Sequence, residues 1–235
     1  MTAVPSDAWF RVFPGPRIPN LLAYVSGTWD WLLRTFASAV TFDHDEPELT
    51  DNLCEALSNP DRRFAHGMDC DFQSENWELR RGADGRVVRV ARSDIRVILG
   101  APGTPHLILE FKKLSGSTGD RWRYCFDGIN RFVEGKYAIG HAVGVMCSFI
   151  PNDLTVEPDG IAAYIARDDC ARRLSRAPDA DGKVVRRPSA IDPVLVRFDT
   201  EHQRPTLTPN DPILLLHTLL PCPTDDVIGV EKSTK

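Results

Sequence analysis

The sequence lacks the long apolar run that a membrane span requires. No segment approaches the roughly eighteen consecutive apolar residues that can cross a bilayer. The N-terminal stretch MTAVPSDAWFRVFPGPRIP also has no basic segment followed by an apolar one, which a secretory signal would show. We therefore expect a cytoplasmic protein with no membrane partner.

Cysteine and histidine at metal-binding spacing are missing as well. The six cysteines are dispersed, and none stands in a C-x-x-C arrangement. Such cysteines in an intracellular chain are typically reduced and partly buried. The six histidines are equally scattered, so no zinc spacing exists. Asp43-His44-Asp45 comes nearest to a ligand cluster, and a solvated loop explains it better.

An excess of positive charge is also absent, because the net charge is −5. This argues against a protein that binds nucleic acid without a specific site. The charges are unevenly placed, however: acids dominate from 41 to 75 and bases from 80 to 136. The basic stretch predicts either a face that binds polyanions or ordinary solvated surfaces.

The chain is long enough to bury a core, with 235 residues of which 42% are hydrophobic. This length predicts one domain over 1–235 rather than two. Residues 1–45 hold several aromatic residues, and the spacing in 28–40 predicts a short amphipathic helix. We interpret 1–45 as an N-terminal cover for a core that spans about 46–150.

The core opens with a helix in DEPELTDNLCEALS. Pro47 suits a first helical position, and Leu49, Leu53 and Leu57 recur every four residues. Asn59-Pro60 ends the pattern. We therefore expect a helix of about three turns whose leucine face is buried.

Three antiparallel strands are predicted next. ENWELRRGADGRVVRVARSDIRVIL has the pattern of a hairpin with a turn at Asp84-Gly85, and a second turn over 100–105 leads into HLILEF. RWRYCFDGINRFVEGKYAIG then has helical spacing, and the apolar run HAVGVMCSFI predicts a central buried strand.

Residues 151–235 predict a C-terminal elaboration of this core. A helix is expected over 158–175, a charged loop over 176–192, and late strands at PVLVRF and PILLLHTLLP. The predicted fold class is α/β, with a central mixed sheet flanked by helices.

Charged residues at the ends of two neighbouring predicted strands need an explanation. Asp94 lies in the second strand, and Glu110 and Lys112 share one face near the end of the third. The tight turn between these strands brings Asp94 close to Glu110. Carboxylates that converge repel unless they are protonated or bridged by a cation, and all-oxygen sites suit Mg²⁺ or Mn²⁺.

This pattern resembles the PD-(D/E)XK nuclease superfamily, whose fold is the restriction-endonuclease-like αβββαβ core. The matching pieces are Asp94 in RSDIRVIL, Glu110 and Lys112 in LILEFKK, and the helix EPELTDNL before them. The resemblance covers about 46–150, and Ser93 stands where a proline often precedes the aspartate. It implies that Asp94 and Glu110 are metal ligands and that Lys112 is the catalytic lysine.

Three further residues are candidates for the site, one from the resemblance and two from their position near the end of the second core helix. The superfamily often adds a glutamate from the first helix, and Glu46 fits because it shares a helix face with Leu49. An acid that favours the helix dipole explains Glu46 equally well. Arg131 and Lys136 could contact a phosphate backbone, although solvated charges are the simpler explanation.

The function that the resemblance implies is an Mg²⁺-dependent or Mn²⁺-dependent endonuclease that acts on DNA in a prokaryotic restriction or anti-phage system. Target choice would then depend on a homodimer or a partner protein, because no helix-turn-helix or zinc finger is recognisable. Two alternatives stay open: a noncatalytic subunit of a larger complex, and a toxin that cleaves RNA at the same site.

Overall fold

The computed structural model describes residues 15–81, 87–99, 106–154, 156–176, 182–205, 207 and 212–224. It contains seven α-helices and six strands in these residues. The helices are α1 (Ile18–Thr35), α2 (Glu46–Ser58), α3 (Pro60–Ala65), α4 (Thr118–Arg123), α5 (Asn130–Val133), α6 (Glu157–Ile165) and α7 (Asp168–Arg173). The strands are β1 (Cys70–Arg81), β2 (Val87–Leu99), β3 (His106–Lys113), β4 (Val143–Pro151), β5 (Val196–His202) and β6 (Ile213–Cys222).

The six strands form one mixed sheet in the order β1-β2-β3-β4-β6-β5. The first three strands are an antiparallel meander, whereas β3, β4 and β6 run parallel to one another. β5 closes the other edge antiparallel to β6. The α/β class and the central position of HAVGVMCSFI are therefore confirmed.

Each face of the sheet packs against its own layer of helices. Alternate residues of β3, such as Leu109 and Phe111, belong to the core that contains α1 and α2. Ile108 belongs to the opposite core, which contains residues of α5, α6 and α7. Because side chains alternate along a strand, Glu110 and Lys112 share the face of Ile108.

The helix α2 forms as its sequence predicts. The side chain of Asp45 accepts a hydrogen bond from the backbone N–H of Glu48 and caps the first turn. Leu49, Leu53 and Leu57 are fully buried. Asp45 thus serves as the helix cap, which explains one of the acids in Asp43-His44-Asp45.

The connection from β3 to β4 is a helix of mixed geometry. Its middle part, Tyr124–Ile129, is a π-helix between α4 and α5. Gly128 lies here against the sheet, and a Cβ at this position would stand 2.6 Å from Cε of Met146. A larger residue here would require the end of the Met146 side chain to move. Turns of π-helix often occur at functional sites.

A fully buried chain of hydrogen bonds fixes this helix to β5 and β6. The Tyr124 hydroxyl lies 2.6 Å from Nδ1 of His217, and Oγ1 of Thr200 lies 2.8 Å from Nε2 of both His217 and His202. Nδ1 of His202 must donate to the carbonyl of Leu174, because a carbonyl only accepts. Thr200 therefore donates to His202 and accepts from His217, which in turn accepts from Tyr124.

Several predicted boundaries are wrong. The N-terminal helix begins at Ile18 instead of residue 28, with Pro19 in its first turn. The helix expected over 158–175 is divided into α6 and α7, and the strand expected at PVLVRF begins only at Val196. The predicted turns at Asp84-Gly85 and 100–105, and residues 1–14 of the expected cover, lie outside the described residues.

All six cysteines are buried and free, as their dispersed positions predicted. In the part of the chain that the structure describes, no helix has both the length and the apolar character that a membrane crossing requires.

Candidate functional site

The end of the meander brings Asp94 and Glu110 together. Ile95 pairs with Leu109 across the antiparallel β2–β3 ladder, and the same register continued by one residue sets Asp94 opposite Glu110. Oδ2 of Asp94 accepts a hydrogen bond from the backbone N–H of Phe111 at 2.7 Å. This bond anchors the Asp94 carboxylate beside the strand that carries Glu110.

Glu110 is completely buried, and its two oxygens have different surroundings. Oε1 lies 3.0 Å from Nζ of Lys112 and 3.1 Å from Nη1 of Arg131. Oε2 makes no hydrogen bond to any residue that the structure describes. One carboxylate oxygen thus has two cationic neighbours, while the other is buried without a compensating partner, which costs free energy.

Burial raises the pKa of both carboxyl groups. Burial raises the pKa of Glu110 to about 8. The nearby Lys112 amine lowers this pKa only in part, and repulsion from Asp94 raises it further. The pKa of Asp94 is also raised by burial, while Lys112 and the Phe111 N–H act in the opposite direction. Ionising both groups together therefore requires additional positive charge.

Lys112 is the cation between the carboxylates. Its amine donates to Oε1 of Glu46 at 2.9 Å and to the backbone carbonyl of Phe111, and it also contacts Glu110. Burial by itself would lower the pKa of Lys112, but Glu110, Glu46 and Asp94 reverse this effect and raise it. Lys112 is consequently a protonated amine at neutral pH.

Glu46 reaches Lys112 from the opposite helix layer. It is the first residue of α2, and its side chain contacts Lys112 near the end of β3. Oε2 of Glu46 accepts a hydrogen bond from the backbone N–H of Lys113 at 2.9 Å, so both of its oxygens are bound. The amine of Lys113 donates to the carbonyls of Phe42 and His44, which ties the segment before α2 to β3.

Of the two basic residues predicted to contact nucleic acid, only Arg131 lies at this site. Its Nη1 donates to Glu110 and, at 2.6 Å, to the hydroxyl of Tyr137. Lys136 instead forms an ion pair with Glu134 at 2.6 Å and does not line the cleft. No pattern in the sequence indicates the contact between Arg131 and Glu110, or the hydrogen bonds of Lys113 to the segment before α2.

A cleft of about 570 Å³ opens in front of these residues. Its lining includes both basic and acidic side chains, and part of it comes from one face of the mixed helix between β3 and β4. The lining residues are Phe42, Asp45, Glu46, Lys112, Lys113, Ser115, Asp120, Arg123, Asp127 and Arg131. Glu110 and Asp94 are not among the residues that line the cleft.

The donor set is compatible with a hard divalent cation. The described residues contain no cluster of three or more His, Cys, Asp or Glu side chains with the spacing of a metal site. Mg²⁺, however, commonly takes one or two protein carboxylates and completes its shell with water and substrate oxygens. Oε2 of Glu110 is buried and has no hydrogen-bond partner in the part of the chain that the structure describes, and Asp94 is a neighbouring acid. These two residues therefore fit such an ion.

Comparison of the chain with protein-family models, with curated proteins and with solved structures found no match.

Proposed function

We propose that this chain is a metal-dependent endonuclease of the PD-(D/E)XK type that hydrolyses phosphodiester bonds in DNA. The observation that carries the proposal is Oε2 of Glu110, a buried carboxylate oxygen with no hydrogen-bond partner among the described residues, next to Asp94 and Lys112. The order of α2, the meander, the mixed helix and β4 agrees with an αβββαβ core.

Asp94 and Glu110 are the residues that would hold Mg²⁺ or Mn²⁺. When bound, the cation lowers the pKa of coordinated water and neutralises charge that develops on the phosphate. Lys112 and Arg131 both contact Oε1 of Glu110, which leaves Oε2 for the cation. The two basic residues thus orient the Glu110 carboxylate.

Lys112 acts in this proposal as a hydrogen-bond donor and a positive charge. Its raised pKa keeps the amine protonated, so it cannot take a proton from water. It can donate a hydrogen bond to a phosphate oxygen and stabilise the negative charge of the transition state. Arg131 lines the cleft and offers further N–H donors to the substrate.

The setting that we propose rests on the sequence resemblance. It is a cytoplasmic restriction or anti-phage system, in which a second copy of the chain or a partner protein directs the nuclease to its target. The cleft has as many acidic as basic residues in its lining, which agrees with a need for such help in binding DNA.

The test compares wild type with Lys112→Ala on plasmid DNA, single-stranded DNA and RNA. Wild type should cut DNA with Mg²⁺ or Mn²⁺, chelation should stop it, and Lys112→Ala should lose at least about a hundredfold in rate. Lys136→Ala is the matched control, because it removes a lysine outside the cleft and should cut like wild type.

Each alternative has a distinct outcome. Equal activity of wild type and Lys112→Ala would assign the cleavage to a contaminant and overturn the proposal. Cleavage of RNA alone would keep the site and overturn DNA as the substrate. No cleavage of any substrate, together with no Mn²⁺ binding by calorimetry, would favour the noncatalytic subunit.

A further inference from the structure

Two donors converge on the carboxylate of Glu46. The amine of Lys112 binds Oε1, and the backbone N–H of Lys113 binds Oε2, each at 2.9 Å. The Lys112 amine is a charged donor, and the Lys113 N–H is a backbone donor at the end of β3. Together they bind the two oxygens of one anionic group. A phosphate presents pairs of oxygens to charged and backbone donors in the same way.

Glu46 is the most readily exchanged neighbour of Lys112. An ammonium group has three N–H donors, and Lys112 has three oxygen neighbours, on Glu46, Glu110 and Phe111. Glu110 is fully buried, and Phe111 adjoins Lys112 in the chain. The side chain of Glu46 is 30% exposed and lines the cleft, so a ligand that enters the cleft meets Glu46 first.

We propose that the Lys112 amine and the Lys113 backbone N–H form a binding site for one phosphate group, which Glu46 occupies in the free protein and yields to the substrate. The inference rests on the proposed function for the identity of the substrate as a nucleic acid strand. It gives Glu46 the role of a competing anion, distinct from that of a metal ligand, and it means that the free protein binds nucleic acid weakly.

The test is the binding of a short fluorescein-labelled single DNA strand, measured by anisotropy in EDTA so that neither metal nor cleavage contributes. Glu46→Gln removes the competing charge and should bind the strand roughly fivefold more tightly, the effect of a partly exposed ion pair. Adding Lys112→Met to Glu46→Gln should abolish this gain, and inorganic phosphate should compete with the strand.

Glu48→Gln is the matched control. Glu48 lies in the same helical turn and carries the same charge, but it pairs with His44 at 3.0 Å and does not line the cleft. Its removal should leave the affinity near that of wild type. An equal gain in both variants would show general electrostatics and overturn the inference, as would weaker binding by a folded Glu46→Gln.

A second measurement avoids substitution altogether. In wild-type protein labelled with ¹⁵N, titration with inorganic phosphate should shift the amide resonance of Lys113, since this N–H exchanges one acceptor for another. An unchanged Lys113 resonance at phosphate concentrations that displace the DNA strand would overturn the inference, whatever the stability of Glu46→Gln.

The inference and the proposed function can fail separately. Tighter binding by Glu46→Gln without cleavage by any form of the protein would support the phosphate site and count against the nuclease. Cleavage by wild type without tighter binding by Glu46→Gln would support the nuclease and remove the phosphate site.

Discussion

Nη1 of Arg131 donates to Oε1 of Glu110 at 3.1 Å, and this is the same oxygen that the Lys112 amine approaches at 3.0 Å. Two cations therefore share one carboxylate oxygen, while Oε2 of the same buried group has no partner within the described residues. The arrangement leaves Glu110 with a raised pKa despite two basic neighbours, because burial outweighs their attraction.

The raised pKa of Glu110 predicts how the stability of the metal-free protein depends on pH. The folded state keeps the proton of Glu110 up to about pH 8, whereas the unfolded chain releases it near pH 4.5. The folded state thus binds more protons in this interval, and the free energy of unfolding falls as the pH rises. The slope from this one group is at most about 1.4 kcal/mol per pH unit.

Glu110→Gln should remove that part of the pH dependence, because glutamine does not titrate. The measurement is guanidinium denaturation in EDTA at several values between pH 5 and 8, taken as the difference between wild type and variant so that other groups cancel. Glu134→Gln is the control. Because Lys136 lowers the pKa of Glu134, removing the Glu134 carboxyl cannot remove a decline in the free energy of unfolding toward pH 8. A constant difference between wild type and Glu110→Gln would contradict the prediction.

The buried chain through Thr200 predicts a large cost of substitution. Thr200→Val deletes the hydroxyl that joins His202 to His217 and leaves both Nε2 atoms buried without partners. The expected loss is about 3 kcal/mol in the free energy of unfolding. Denaturant titration at neutral pH measures it.

Thr41→Val is the matched control for this prediction. Thr41 is also buried, but its hydroxyl makes no hydrogen bond within the described residues. Replacing it with valine should be neutral or stabilising, because a polar group leaves an apolar site. Similar losses in both variants would show that the hydrogen bonds through Thr200 do not contribute.

Arg131 and Lys136 are predicted to differ in their effect on DNA binding. Arg131→Gln should weaken binding and reduce the dependence of log K on log salt by about one, as expected for a lost phosphate contact. Lys136→Gln should change neither, since Lys136 pairs with Glu134 outside the cleft. Anisotropy titrations in EDTA at several salt concentrations measure both quantities, and equal losses would indicate only a general effect of charge.

The helices and strands with local signals are predictable from the amino-acid sequence alone. The spacing of the leucines predicts α2, alternating apolar residues predict strands of the meander, and a short apolar run predicts β4. The convergence of Asp94 with Glu110 was also predictable, because adjacent antiparallel strands joined by a short turn have a restricted register. Boundaries such as the start of α1 were less predictable, since packing against the sheet decides how far a helix extends.

Which charged side chains contact one another depends on how the helix layers and the sheet pack. Glu46 and Lys112 are 66 residues apart and belong to different layers. Arg131 reaches Glu110 from α5, directly after the π-helical segment. The position of β6 between β4 and β5 in the sheet likewise depends on contacts between segments that are distant in sequence. Side-chain contacts between distant segments depend on how the layers pack, and a local pattern of residue types contains no record of that packing.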